Sequence, residues 1–203
     1  MRIMLLVPSV SPSLNQIPEI RTITSMHTAL VLNGPVPLDE VYDHAQRGNY
    51  EIVHIGTHKD TYEKDDILQF SRMAGAKLVF LNQCYSGETG SYLVAHGIPF
   101  VIVTNVELED REAWKMPKLF YEYLARMERT GPISYSEAYV KADSGEGNHS
   151  FLVQLALLGV AESLERRVRV VEDQVLGWRR LTLILIGVIA TLSVLLTIWG
   201  IVT

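Results

Sequence analysis

Short apolar runs alternate with longer amphipathic stretches throughout residues 1–145, and this alternation predicts the fold class. The last four runs are rich in Val, Ile, Leu and Phe with little polar alternation, which is typical of strands covered on both faces. Strands that alternate with helices predict an α/β fold, a parallel sheet with helices on both faces. The predicted strands are 2–7, 28–33, 50–56, 77–82 and 98–104, and the predicted helices are 16–26, 37–47, 65–74, 88–97, 110–130 and 134–143.

The C-terminal end carries an uncharged apolar segment. No residue from 181 to 202 is charged, and about 20 apolar residues are enough to cross a hydrocarbon core of about 30 Å. Trp178, Arg179 and Arg180 precede this segment, and nothing basic follows it. The positive-inside bias therefore predicts a single-pass C-terminal anchor, a transmembrane helix over 181–203, with the N-terminal domain in the cytoplasm.

A polar break at 143–149 separates the predicted domain, 1–148, from a helical stalk predicted over 149–180. The stalk carries a heptad seam, because its apolar residues follow one another at steps of four and three. Two interpretations stay open: the stalk is a spacer, or its seam pairs subunits into a homo-oligomer. The seam residues are Leu157, Ala161, Leu164, Val168, Val171, Val175 and Trp178.

Composition and motifs argue against several classes of function. The net charge of −5 argues against a nucleic-acid partner, and a single cysteine forms no disulfide within the chain. The sequence has neither a Gly-x-Gly-x-x-Gly motif nor a Walker loop, so we expect no nucleotide cofactor. We expect no metal either, because the remaining histidines show no ligand spacing; they are His27, His44, His96 and His149.

Two polar residues follow neighbouring predicted strands. Cys84 lies just after the apolar run 78–82, and His58 ends the run 51–58. Parallel strands present their carboxyl ends at one edge of the sheet, where ligands and chemistry collect. A thiol beside an imidazole is the smallest set of groups that can act as a cysteine nucleophile with a general base. Gly87 is expected to allow a tight turn after the thiol. The alternative is a buried structural cysteine, which is common.

Two segments resemble the signature segments of the caspase-like cysteine peptidases, in particular the CHAT group. They are His-Ile-Gly-Thr-His (54–58) and Phe-Leu-Asn-Gln-Cys-Tyr-Ser-Gly (80–87). The resemblance covers roughly residues 50–143 and implies a caspase-like parallel-sheet sandwich. Further segments are similar to the strand, the acidic turn and the two closing helices that follow in CHAT domains; they are 97–110, 119–124 and 136–142.

The resemblance also implies roles for individual residues. His58 would be the catalytic histidine and Cys84 the nucleophile, while His54 would be structural. The family has Gly directly after the catalytic histidine, and its N–H helps to form the oxyanion hole, whereas this chain has Lys59. The N–H groups of Cys84 and Lys59 would then bind the oxyanion.

Caspase-like enzymes choose the residue before the scissile bond through a charged pocket. Glu107, Glu109 and Asp110 follow the last predicted strand. In one interpretation they form an acidic substrate pocket that favours Arg or Lys. In the other they are a solvated acidic turn.

Together these features predict a membrane-anchored cysteine endopeptidase, a hydrolase that cleaves a protein or peptide substrate without a metal or cofactor. The resemblance further suggests activation by oligomerisation or by a partner protein, and a role in bacterial, including antiviral, defence or in cell death. The alternative is a sensor or scaffold with a degenerate site, whose oligomerised transmembrane helix perturbs the bilayer.

Overall fold

The computed structural model describes residues 1–8, 17–57, 61–107, 113–143 and 147–154. The described strands are β1 (Arg2–Val7), β2 (Thr28–Asn33), β3 (Ile52–Gly56), β4 (Leu78–Asn82), β5 (Phe100–Thr104) and β6 (His149–Val153). The described helices are α1 (Ile17–Met26), α2 (Leu38–Arg47), α3 (Lys64–Ala74), α4 (Gly87–Ala95), α5 (Lys115–Thr130) and α6 (Tyr135–Ala142).

The described strands form one six-stranded sheet in the order β2-β1-β3-β4-β5-β6. Neighbouring strands pair in parallel except β6, which is antiparallel to β5. The chain passes from β1 to β2 on one side and then continues with β3 on the other side of β1, so the strand order reverses there. Open α/β sheets bind ligands at their carboxyl edge, next to such a reversal.

Apolar side chains on both faces of the sheet form two cores. Helices α2, α3 and α4 cover one face with residues such as Val41, Phe70 and Leu93. Helices α1, α5 and α6 cover the other face, where Phe80 of β4 packs against Phe120 of α5. Because the central strands are buried on both faces, they read in the sequence as nearly unbroken apolar runs.

Two glycines help to position the helices. Gly75 follows α3 in the left-handed conformation, with a φ of 71°, which glycine adopts at little steric cost. Gly90 lies within α4, where a Cβ would come 2.1 Å from Cγ1 of Val103. Helix α4 therefore packs against β5 with its backbone close to the sheet, and this contact holds its N-terminus at the carboxyl edge.

The predicted fold class is confirmed as a mostly parallel α/β sheet with helices. The five predicted strands agree with the structure to within two residues at either end. Helix α5 begins at Lys115 rather than at the predicted residue 110. This start places Pro117 in the first turn of the helix, where proline is tolerated because the N–H it lacks would be unpaired anyway.

Strand β6 was not predicted. We expected a continuous helix from about residue 150, whereas His149–Val153 pairs with β5 and places Phe151 opposite Ile102. A short apolar run fits a buried strand and a buried helix equally well by its periodicity. The free edge of β5 selects the strand, because pairing satisfies the backbone N–H and C=O groups along that edge.

The predicted stalk beyond residue 154 and the predicted transmembrane segment lie outside the described residues. Within the described ranges, no helix combines the length and the apolar character that a membrane crossing requires. The division into a domain, a stalk and an anchor therefore stays a prediction from the sequence.

Candidate functional site

A buried polar network lies beneath the carboxyl edge of the sheet. The Glu19 carboxylate accepts hydrogen bonds from Nε2 of His54 at 3.0 Å and from Nδ2 of Asn82 at 2.7 Å. The other ring nitrogen of His54, Nδ1, lies 3.0 Å from the hydroxyl of Tyr121. Burial, with the charge of Glu19 added, raises the pKa of Tyr121 well above its ordinary value. The hydroxyl therefore keeps its proton and donates a hydrogen bond to Nδ1 of His54.

This network joins four elements of the fold, because Glu19 belongs to α1, His54 to β3, Asn82 to β4 and Tyr121 to α5. Glu19, His54 and Tyr121 are almost completely buried. Gly56 at the end of β3 leaves room for the carboxylate, since a Cβ there would come 2.7 Å from Oε2 of Glu19. The network therefore holds a layer of buried polar side chains in fixed positions under the carboxyl ends of β3 and β4.

Three buried polar atoms at this edge have no hydrogen-bond partner within the described part of the chain: Oδ1 of Asn82, Nε2 of Gln83 and Nε2 of His149. The orientation of the Asn82 amide is determined by its partners, because Nδ2 donates to Glu19 and to the carbonyl oxygen of Ala113 at 3.0 Å. An unpartnered buried polar atom costs about 1–3 kcal/mol. Native proteins keep few of them, and each one calls for a reason such as bound water or a ligand.

Asn82 and His149 lie on the same face of the sheet. Side chains two residues apart along a strand point to the same face, and Phe80 of β4 and Phe151 of β6 both join the core under α5 and α6. Thr104 of β5 is in register with His149. Because β6 is antiparallel, its first residue lies at the carboxyl edge of the parallel strands. Oδ1 of Asn82 on β4 and Nε2 of His149 on β6 therefore belong to residues that flank β5 on the same face of the sheet.

The His149 ring is neutral near pH 7. Burial lowers the pKa of His149 to about 4, and the charge of Asp143 offsets only part of this effect. The backbone at His149 is held by Tyr139, whose hydroxyl donates to the His149 carbonyl oxygen at 2.9 Å. A neutral imidazole has one N–H donor and one acceptor, so Nε2 can take either role toward a ligand.

Cys84 and Tyr85 occupy the turn between β4 and α4. Ser86 ties this turn to β5: its N–H donates to the carbonyl oxygen of Thr104 at 2.9 Å, and its hydroxyl accepts from the N–H of Thr104 at 3.0 Å. The thiol of Cys84 is free and half-buried. Tyr85 has a φ of 53°, in the left-handed region that costs a residue with a Cβ about 1–2 kcal/mol. The turn is therefore both anchored and strained.

The structure places some of the predicted site residues and leaves others outside its description. Cys84 lies at the carboxyl edge of the sheet, as its position after β4 requires. His58 and Lys59 lie outside the described residues, and their position relative to the thiol stays a prediction. His54, which we expected to be structural, is fully buried and has a hydrogen-bond partner at both ring nitrogens.

The remaining predicted residues differ in outcome. We expected Gly87 to form the tight turn after the thiol, but Gly87 is the first residue of α4 and the left-handed residue is Tyr85. The hydrogen bonds of Ser86 close the turn one residue earlier, so the turn does not require this glycine. Glu107 is exposed to solvent, whereas Glu109 and Asp110 of the predicted acidic pocket lie outside the described residues.

Sequence reasoning missed the residues that build this edge, namely Glu19, Asn82, Tyr121 and His149. They belong to four elements that are distant along the chain, so no local motif connects them. Glu19 lies in the first turn of α1, where an acidic residue is usually read as a solvated partner of the helix dipole. The available signal was Asn82, a polar residue that ends an apolar strand directly before the turn.

No family model matches the sequence, and no curated protein matches it. Among solved structures, the chain is similar to the pyridoxal kinase from Staphylococcus aureus in complex with ADP, with 10% identity, a TM-score of 0.42, and coverage of 70% of this chain and 84% of that chain. The complex of that kinase with AMP-PCP and pyridoxal gives 10% identity, a TM-score of 0.39 and the same coverage. A likeness at this level carries neither an activity nor a substrate to the present chain.

These comparisons contradict the predicted membership in the caspase-like, CHAT-type peptidases, since no peptidase family model matches and the similar structures are kinases. The predictions of a cysteine endopeptidase, of protease or hydrolase activity and of a role in defence or cell death are wrong. The alternative of a sensor with a membrane-perturbing helix has no support either. The reason is physical: apolar strands of any parallel sheet end on polar residues at one edge, so segments as short as 54–58 and 80–87 do not specify a family.

Proposed function

We propose that residues 1–154 bind a small polar ligand at the carboxyl edge of the sheet, next to Asn82 and His149. The observation that carries this proposal is the group of three buried polar atoms, on Asn82, Gln83 and His149, that have no partner among the described residues. Leaving each such atom unbonded costs about 1–3 kcal/mol. A ligand that bonds to them removes this cost, so the folded domain favours a bound molecule at this edge.

The chemistry of the unpartnered atoms defines the ligand. Oδ1 of Asn82 only accepts hydrogen bonds, so the ligand must present an N–H or O–H group to it. Nε2 of Gln83 only donates, so the ligand needs an acceptor as well. The neutral ring of His149 suits either group. A primary carboxamide has both functions, whereas a carboxylate has acceptors only and would face the Asn82 oxygen without a proton.

Cys84 borders the proposed site, because it follows Asn82 by two residues and its thiol is half-buried. We also propose that His58 and the backbone of Lys59 approach the thiol, since the sequence places them directly after the strand that neighbours β4. In this role the thiol and the imidazole are ligand contacts, and no proteolytic step is assigned to them.

We further propose that this ligand-binding domain works at a membrane surface. The uncharged segment 181–202 supports a single-pass anchor, and Trp178, Arg179 and Arg180 before it support a cytoplasmic domain. The heptad seam of the predicted stalk supports self-association. Confinement to a membrane would raise the effective concentration of such domains for one another and for any partner protein.

Binding of acetamide to the full-length chain in detergent micelles tests the proposed function. We expect acetamide to shift the NMR signal of the Asn82 side-chain amide, and acetate at the same concentration to leave it in place. His149→Phe, which keeps a ring but has no polar atom in it, should weaken acetamide binding about 2- to 10-fold, the equivalent of one neutral hydrogen bond. The control His44→Phe on α2 should keep the native affinity. Equal responses to acetamide and acetate, or no response, would overturn the proposal.

A further inference from the structure

Tyr85 combines backbone strain with exposure of its side chain. Among the described residues it is the only one other than glycine with a positive φ, at 53°. It is also 54% exposed, so burial in the core does not offset the strain. Glycine or asparagine would adopt this conformation more readily. The folded domain therefore has no evident need for tyrosine at this position.

The surrounding hydrogen bonds hold the strained turn in place. Ser86 bonds to Thr104 through its N–H and its hydroxyl, and the hydroxyl also lies 3.3 Å from the carbonyl oxygen of Leu81. These bonds attach the turn to both β4 and β5. The residue before Ser86 is thereby kept in the left-handed conformation, and its ring stays at the surface beside Cys84.

The ring belongs to the same edge as the unpartnered polar atoms. Gln83, two residues before Tyr85, is 5% exposed, and its Nε2 has no partner in the described part of the chain. Oδ1 of the preceding residue, Asn82, is likewise buried without a partner there. A turn that joins buried polar atoms to an exposed flat ring suits a ligand with a polar group and a flat body.

We infer that Tyr85 determines ligand specificity, and that its ring stacks on a flat part of the ligand whose polar group bonds at the carboxyl edge. This inference rests on the proposed function and names its ligand class, a small aromatic carboxamide. Aromatic rings favour offset-stacked or edge-to-face contact with one another. Strained residues persist at binding sites when the surrounding structure holds them. A residue better suited to the turn should therefore stabilise the fold and weaken binding.

Three carboxamides separate ring stacking from polar recognition. Benzamide is flat, cyclohexanecarboxamide has a puckered ring of similar size, and acetamide has no ring. Dissociation constants are measured for the native full-length chain in detergent micelles, from the NMR signal of the Asn82 side-chain amide. We expect benzamide to bind about 2- to 10-fold more tightly than cyclohexanecarboxamide, and acetamide to bind least tightly.

Variants of Tyr85 separate the ring from the strain. Tyr85→Phe should keep the preference for benzamide, whereas Tyr85→Ala and Tyr85→Gly should both lose it. Tyr85→Gly should also melt about 2–4 °C above Tyr85→Ala, because glycine alone relieves the left-handed strain. Equal melting temperatures would contradict the strain part of the argument.

The outcomes distinguish this inference from the proposed function. If the three carboxamides bind with equal affinity and the Tyr85 variants change nothing, the ring has no part in specificity while the polar site stands. If cyclohexanecarboxamide binds more tightly than benzamide, the ring is a plain apolar surface and stacking is wrong. If no carboxamide binds, the proposed function and the inference are both overturned.

Discussion

Replacing His149 with glutamine should flatten the pH dependence of the domain's stability between pH 7 and pH 4.5. Burial lowers the pKa of His149 from its ordinary value of 6.5 to about 4. In the unfolded chain the His149 ring therefore takes up a proton near pH 6.5, whereas in the folded chain this ring stays neutral down to about pH 4. Between these values the unfolded state binds more protons, so stability falls as the pH falls.

The size of this effect follows from the difference between the two pKa values. At about 1.4 kcal/mol for each pKa unit, the full loss is about 3–4 kcal/mol, and most of it is reached by pH 4. A second group acts in a lower window. The Met1 amine, which hydrogen-bonds to the Glu128 carboxylate, lowers the pKa of Glu128 below 4.5, so its contribution to stability is lost only below that pH.

Urea unfolding of the full-length chain in mild detergent, followed by circular dichroism at several pH values, measures the effect. Between pH 7 and pH 4.5 we expect the native chain to lose about 2 kcal/mol more unfolding free energy than His149→Gln, whose amide does not titrate. His44→Gln is the control and should follow the native curve. Parallel curves for the native chain and His149→Gln would show that the ring is not held neutral, and would refute the reasoning.

Three further changes test the framework of the site by the same unfolding assay. Glu19→Ala should lower the unfolding free energy by about 2–6 kcal/mol, because the buried N–H donors of His54 and Asn82 both lose this acceptor at about 1–3 kcal/mol each. Glu19→Gln, which keeps one acceptor oxygen, should cost less, and equal losses would contradict the role of the carboxylate as the shared acceptor. Gly90→Ala would bring a Cβ to 2.1 Å from Cγ1 of Val103 and should cost about 1–3 kcal/mol. Gly131→Ala, whose Cβ would have nothing within 4 Å, should be nearly neutral, so matching losses would disprove the close helix contact. Ser86→Ala should cost about 1–3 kcal/mol, and an unchanged stability would mean that the turn is held by other groups.

Much of the fold was predictable because the spacing of apolar residues along the chain distinguishes strands from helices. Strands buried on both faces leave runs such as 78–82 with no alternation, and the helices between them show the longer period. Strand β6 was not predictable in this way, because the run Phe151-Leu152-Val153 acquires its structure from pairing with β5, a partner about fifty residues away in sequence. Local pattern carries no information on a partner at that distance.

The location of the carboxyl edge was predictable from the sequence, whereas the buried polar residues that lie along it were not. Parallel strands deliver their carboxyl ends to one edge, and Cys84 lies at that edge because it follows β4; its role there stays a prediction. The hydrogen bonds that define the edge join Glu19, His54 and Tyr121 across three separate elements, and only the folded chain brings these residues together. The family resemblance failed for the opposite reason, since it relied on short local segments that many parallel sheets share.

The central claim, a polar ligand site next to Asn82 and His149, is tested most directly by locating a bound carboxamide. Intermolecular NOEs are measured between benzamide and the full-length chain, isotope-labelled in detergent micelles. The account predicts NOEs from the benzamide amide protons to the His149 ring and from its ring protons to Tyr85. NOEs confined to residues away from this edge, or benzamide that binds without contacting it, would contradict the account.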